Sequence, residues 1–380
     1  MIYLDNNATT SVDPIVLQEM LMIINEYYAN PSSLHEFGHV VNNKLSAARK
    51  IVADRMGCYE DEIIFTSSGS EGNNMCLKGF AFSNKHRGNH IITSKIEHPS
   101  IISTCEYLSK NGFEVTYLDV DDEGSVSPSK LKDAVKDNTI LISIGHVNSE
   151  IGIIQDLNSL INVKGNVKFH TDAVQGFLKT DFSIKKYNVD MATISGHKFH
   201  APKGVGFIYR KRGIEISPQT HGGMQEFGLR AGTENIPLIC ALAKAIEIYD
   251  CNHIISMKNL QKYLIDSLTN INGIIINGPN DLERRVCTNI NISSESFEGI
   301  FLLKQLSKQA IFVSTGSACS SKYSKVSHVL AAIRCNPRYI QGNIRISLSK
   351  YTTEKCIDTF IRELKLIFNN KTGMKLIKSE

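Results

Sequence analysis

Three short runs hold the residues best suited to chemistry. Asp172 and Gln175 lie in His170-Thr171-Asp172-Ala173-Val174-Gln175, Lys198 closes Ser195-Gly196-His197-Lys198, and Thr66-Ser67-Ser68-Gly69-Ser70-Glu71-Gly72-Asn73-Asn74 is small and polar. Each follows a β-rich stretch. Pyridoxal 5′-phosphate (PLP) chemistry needs a lysine for a Schiff base and an acid beside the pyridine nitrogen, whose retained proton lets the ring accept electrons. Lys198 and Asp172 fill those roles. Either one alone reads as a turn residue or a solvated charge, so their order and context carry the inference. Small residues between a strand and a helix N-terminus expose backbone N–H groups that suit a phosphate, with the Ser70 hydroxyl as a further donor. Alone, the same run also reads as an N-capped helix start. It lacks the Gly-Lys-Ser/Thr ending of a nucleotide-binding loop.

Two further residues suggest a reaction. Cys319 lies in Ser314-Thr315-Gly316-Ser317-Ala318-Cys319-Ser320-Ser321, and of the nine cysteines only its setting suggests exposure. A thiolate in such a setting is a nucleophile. Arg345, in Asn343-Ile344-Arg345-Ile346-Ser347-Leu348, has the planar fork that binds a carboxylate bidentately. In isolation it reads as a strand-end arginine with its head in water.

The elements that must position these groups are legible as periodicity. Strand-like runs at 62–65, 90–92, 114–117, 140–144, 168–170, 191–194 and 206–209 alternate with helix-length amphipathic segments, the pattern of a parallel sheet with crossover helices. Ligands in such sheets bind outside the carboxyl ends of strands. After a helical stretch near 236–249, strands at 289–292 and 344–348 belong to a smaller α+β unit. The expected division is a large domain over 15–250 and a small one built from 1–14 and 251–380, with the first dozen residues as an arm.

Composition narrows the field. A net charge of +4 over 380 residues, with Lys371, Lys375 and Lys378 read as a solvated tail, gives no reason to expect nucleic-acid binding. No apolar run approaches membrane-spanning length and the start lacks a signal-peptide pattern, so a soluble cytoplasmic protein is expected. Nine cysteines without CxxC pairs argue against a disulfide framework or a closed zinc site, and no metal is expected.

The chain resembles the group I cysteine desulfurases. Its successive motifs are Tyr3-Leu4-Asp5-Asn6-Asn7-Ala8-Thr9-Thr10, Asn30-Pro31-Ser32-Ser33, Glu97-His98, Val147-Asn148-Ser149-Glu150-Ile151-Gly152, Ser195-Gly196-His197-Lys198, His221-Gly222-Gly223, Arg230-Ala231-Gly232-Thr233 and Gly316-Ser317-Ala318-Cys319. They come in family order from Tyr3 to about residue 365. The resemblance implies a fold-type I PLP homodimer: α/β, with a mostly parallel seven-stranded sheet, helices on both faces, and a smaller α+β domain. Lys198 would carry PLP, His98 stack on its ring, Asp172 pair with its nitrogen, and Ser149 and Gln175 approach the ring oxygen. Gly69, Ser70, Ser195 and His197 would hold the phosphate, joined by Thr233 of the other subunit, while Arg345 and Asn30 would bind substrate. Cys319 would take sulfur from L-cysteine as a persulfide, leaving L-alanine, and pass it to an acceptor protein for iron–sulfur cluster assembly or tRNA thiolation.

Three departures from the family pattern stand out. Ser149 replaces the usual Asn, Tyr323-Ser324-Lys325-Val326-Ser327 replaces the usual Leu-Glu-Pro-Ser run, and the chain ends soon after its last helix. The rival readings are a selenocysteine lyase or β-lyase on the same scaffold, and a PLP-bound protein without turnover.

Overall fold

The structure is a computed structural model describing residues 1–315 and 327–369. Its strands are β1 (Ile2–Tyr3), β2 (Ile63–Thr66), β3 (His90–Ser94), β4 (Glu114–Leu118), β5 (Thr139–Ser143), β6 (Lys168–Asp172), β7 (Met191–Ser195), β8 (Gly206–Arg210), β9 (Ile274–Asn277), β10 (Asn289–Ser294), β11 (Ile311–Phe312) and β12 (Asn343–Ser347). Seven form one sheet in the order β2-β8-β7-β6-β5-β3-β4. Only β8 runs antiparallel to its neighbours.

Successive strand side chains point to opposite faces, so a strand covered on both sides carries apolar residues on both. Most of these strands do. Ile63, Ile92, Ile142, Ile194 and Phe207 join one buried cluster, while the adjacent Ile64, Ile91, Leu141, Met191 and Ile208 join another on the opposite face. Helices Pro14–Glu26, Glu36–Met56 and Ile236–Glu247 supply the first cluster, and helix Pro99–Lys110 the second.

A second sheet, β12-β10-β9, is antiparallel throughout. Its core includes Leu264, Ile290, Ile344 and Phe360. Leu4 of the arm is buried in the same core, and β1 pairs in parallel with β11. The arm continues from there to the large sheet. Asn6 Nδ2 donates to Ser347 O at 2.8 Å, Asn7 N to Ser347 Oγ at 2.9 Å, and Thr10 N to His197 O at 3.0 Å. Helix His328–Ala332 returns to the large core, where Val329 and Leu330 are buried.

Strand edges differ from expectation by a residue or two, so Asp172 and Ser195 end β6 and β7 instead of following them. Strands β1, β9 and β11 were not expected. Two of them are two residues long, too short for any alternation to register.

Candidate active site

The carboxyl ends of the parallel strands open onto a cavity of about 300 Å³. Ten of the expected site residues line it: Gly69, Ser70, His98, Ser149, Asp172, Gln175, Ser195, His197, Lys198 and Arg345. Asn30 and Thr233 do not. Both are exposed, and the Asn30 side chain closes a local turn by accepting from Ser32 N at 2.9 Å. Cys319 lies outside the described residues.

Lys198 is gripped by the arm. Its Nζ donates to Asn7 O at 2.7 Å and Ala8 O at 2.8 Å. The next residue back is held too, because His197 Nδ1 lies 3.1 Å from Thr9 Oγ1. Desolvation, then the neighbouring Lys198 charge, lowers the His197 imidazole to about 4, which keeps its ring neutral at ordinary pH.

Asp172 is fixed by two donors, Asn73 Nδ2 at 2.8 Å and Val174 N at 3.0 Å. Asn73 also donates to Ser100 Oγ at 2.8 Å, and Ser100 Oγ lies 2.8 Å from His98 Nδ1. Ser100 N donates to the same nitrogen at 3.1 Å. A backbone N–H can only donate, so His98 Nδ1 is an acceptor and the neutral ring carries its proton on Nε2. Burial lowers the His98 pKa, with Lys198 and His328 acting in the same sense against Asp172.

Arg345 is buried in β12. Its Nη2 pairs with Asp5 Oδ1 at 2.8 Å and its Nη1 donates to Ser149 O at 3.2 Å. Its Nε is buried without a partner among the described residues. That leaves donor capacity for an incoming carboxylate.

Sequence reasoning missed several groups. Asn73 and Ser100 connect the acid to the imidazole. Glu97 is buried, with its carboxyl pushed up to about 7 by desolvation; Ser94 Oγ at 2.5 Å and Gly145 N at 3.1 and 3.0 Å donate to it. His328 lines the cavity and bonds through Nε2 to Glu97 O at 3.0 Å. The only signal for His328 was its position nine residues after Cys319. The expectation that Cys319 alone has an exposed setting is corrected by Cys251, which is exposed in the turn before helix Asn252–Thr269. Cys76 and Cys105 are buried, which pushes each thiol up to about 12.

Residues 2–360 match the aminotransferase class-V family. The chain is 43% identical over 362 residues to the cysteine desulfurase IscS of Methanosarcina thermophila, covering 94% of this chain and 89% of that protein. It is 42% identical over 379 residues to the cysteine desulfurase IscS of Clostridium botulinum, covering 98% and 96%. The chain belongs to the class-V aminotransferases, among the cysteine desulfurases. Two solved structures agree. A NifS-like protein superposes with a TM-score of 0.91 at 39% identity, covering 97% of this chain and 99% of that one. SspA in complex with cysteine superposes with a TM-score of 0.83 at 34% identity, covering 93% and 100%.

The enzyme is therefore PLP-dependent, and its cavity fits that cofactor. Ser195 Oγ is buried without a partner among the described residues, as a hydroxyl awaiting an anionic oxygen would be. Gly69 is required by close packing, since a Cβ there would lie 2.9 Å from Val174 Cγ2 and 3.4 Å from Ser195 Cβ. Asp172, this hydroxyl and Lys198 all line the cavity, the set of an acid, a hydroxyl and a lysine that a phosphorylated pyridine aldehyde requires.

Proposed function

We propose that this enzyme moves sulfur from L-cysteine onto Cys319, releasing L-alanine, and that the persulfide then goes to an acceptor protein for iron–sulfur cluster assembly or tRNA thiolation. One observation carries the reading: the ten residues gather in one cavity, and Arg345 in its wall is joined through its backbone to Ser314, at the root of the Cys319 segment.

Bound PLP supplies an electron sink for the substrate's α-carbon. The chain does the rest. Lys198 Nζ holds the cofactor and, once released, moves the α-proton of the substrate. Arg345 receives the substrate carboxylate in its fork, which sets the α-carbon over Lys198. Asp172, braced by Asn73, would pair with the ring nitrogen. His98 would cover the ring with a neutral imidazole whose proton sits on Nε2. Cys319 attacks the substrate sulfur as a thiolate: an S–S bond forms, the C–S bond breaks, and the carbon recovers a proton as alanine leaves.

Gly69, Ser70, Ser195 and His197 hold the phosphate in this reading. Asn30 and Thr233 are exposed away from their own cavity, which supports a homodimer in which each chain lends them to the other. The chain divides into a large unit over 15–250 and a small one from 1–14 and 251–380. No helix among the described residues is long and apolar enough to cross a membrane, and the reading places the enzyme in the cytoplasm.

The test is to mix Cys319→Ala with cysteine and measure alanine and protein-bound persulfide. Cofactor binding should persist and both products should vanish. Normal alanine production would overturn the mechanism in favour of a direct lyase.

A further inference from the structure

Four residues beyond Gln175, Lys179 is buried with 8% of its surface exposed. Its Nζ donates to Gln175 Oε1 at 2.8 Å. Lys179 is the donor and Gln175 Oε1 the acceptor, so this bond, together with the one to Asn7 O, decides which end of the amide faces which way. The NH2 group is turned to the other side, where one N–H reaches Asn7 O at 2.9 Å. The second N–H is left for the cavity that Gln175 lines.

Behind Lys179 lies a second chamber of about 30 Å³, bordered also by Lys198, Tyr249, His253, Thr288 and Lys350. That is room for one water. Tyr249 Oη and His253 Nδ1 are buried there without partners among the described residues. Among the described residues no carboxylate forms an ion pair with Lys179. Lys198 and Arg345 disfavour its charge, and burial pushes the neighbouring Cys287 thiol up to about 11. Desolvation first, and Lys198 second, bring Lys179 down to about 7. A lysine held at this cost is poorly explained by stability alone.

We propose that Lys179 is a positioning residue for the cofactor: it locks the Gln175 amide with its NH2 group toward the cofactor's ring oxygen and acts through that amide. This rests on the reading that Lys198 carries PLP in this cavity with Gln175 at the ring oxygen. Without Lys179 the amide keeps only its bond to Asn7 O, and wherever it turns its carbonyl faces an oxygen that is itself an acceptor.

Donation to the ring oxygen favours its anionic form, so losing the donor raises the pH at which the bound cofactor deprotonates. Titrating the visible absorption of the holoenzyme measures that midpoint. Lys179→Met should raise it by ~0.5–1 pH unit, the size of one ordinary hydrogen bond. Gln175→Leu should raise it as well. The double variant should go no higher than Gln175→Leu alone, because a residue acting through the amide has nothing left to act on. An unchanged midpoint in Lys179→Met, or an equal further rise in the Gln175→Leu background, would overturn the proposal and make Lys179 a spectator or a remote charge. Lys179→Gln runs the same cycle, with the same deciding outcomes, if methionine is not tolerated. Borohydride reduction and peptide mapping of the unmodified enzyme test the underlying reading separately: pyridoxyl on a lysine other than Lys198 sinks that reading, whatever the titrations give.

Discussion

Ser314 and Arg345 exchange both of their backbone hydrogen bonds, at 3.1 and 2.7 Å. Arg345, proposed to receive the substrate carboxylate, therefore shares a backbone ladder with Ser314, at the root of the segment bearing Cys319. On the far side of that segment, His328 is tied to Glu97 O. Both flanks of residues 316–326 are thus fixed at the cavity wall, on the small sheet and the large one.

Arg345→Lys keeps the charge and loses the fork. The expected outcome is a fall of about 10–100-fold in kcat/KM for cysteine with PLP absorbance retained, as for one strong charge-assisted contact. Steady-state kinetics with cofactor quantitation check it. An unaltered kcat/KM would place the carboxylate elsewhere.

Ser149 lends its backbone oxygen to Arg345 Nη1, Asn7 Nδ2 at 3.3 Å and Asn289 Nδ2 at 3.0 Å. The side chain is the part open to variation. Ser149→Asn should lower the pH midpoint of the bound cofactor's absorption by up to ~1 unit, because the longer amide reaches the ring oxygen. If neither the midpoint nor PLP affinity moves, the side chain at 149 does not reach the ring.

Removing the orphaned hydroxyl in Ser195→Ala should weaken PLP binding by about 5-fold, the worth of one neutral hydrogen bond near 1 kcal/mol. Gly69→Ala should weaken it more, since its Cβ has no room beside Val174. Equilibrium dialysis of apoenzyme with PLP measures both. Wild-type affinity in Ser195→Ala would remove that hydroxyl from the phosphate site.

Glu97 makes stability depend on pH in a definite sense. Its carboxyl is raised from 4.5 to about 7, chiefly by desolvation. Between those values the folded chain keeps a proton that the unfolded chain has lost, so stability is full below about 4.5 and declines as pH rises through about 7. The loss is at most about 3 kcal/mol. Glu97→Gln should flatten the denaturant midpoint across that window. A variant that keeps the wild-type decline would show that another group titrates.

The large sheet was legible because strands buried on both faces read as continuous apolar runs, as Ile63-Ile64-Phe65 and Ile140-Leu141-Ile142 do. Lys198 and Asp172 stood out because a strand end places a polar residue where the apolar run stops. Asn73, Ser100 and Lys179 did not, since each looks like an ordinary helix or turn residue until the fold turns it toward the cavity or its neighbour there. Asn73 and Asp172 are 99 positions apart. The acceptors for Lys198 were invisible for another reason: they are backbone carbonyls of Asn7 and Ala8, and any residue type supplies those.

The arm sets an order of events in folding. Asn6 and Asn7 find their partner in Ser347, about 340 positions away, and β1 has no strand to pair with until β11 exists. Contacts of such separation come late, because the intervening loop must close before they return any free energy. The carbonyls that grip Lys198 therefore arrive after the large sheet can already have formed. A nascent chain released before residue 347 would hold the lysine and the aspartate but lack Ser347, which anchors Asn6 and Asn7 of the arm beside them.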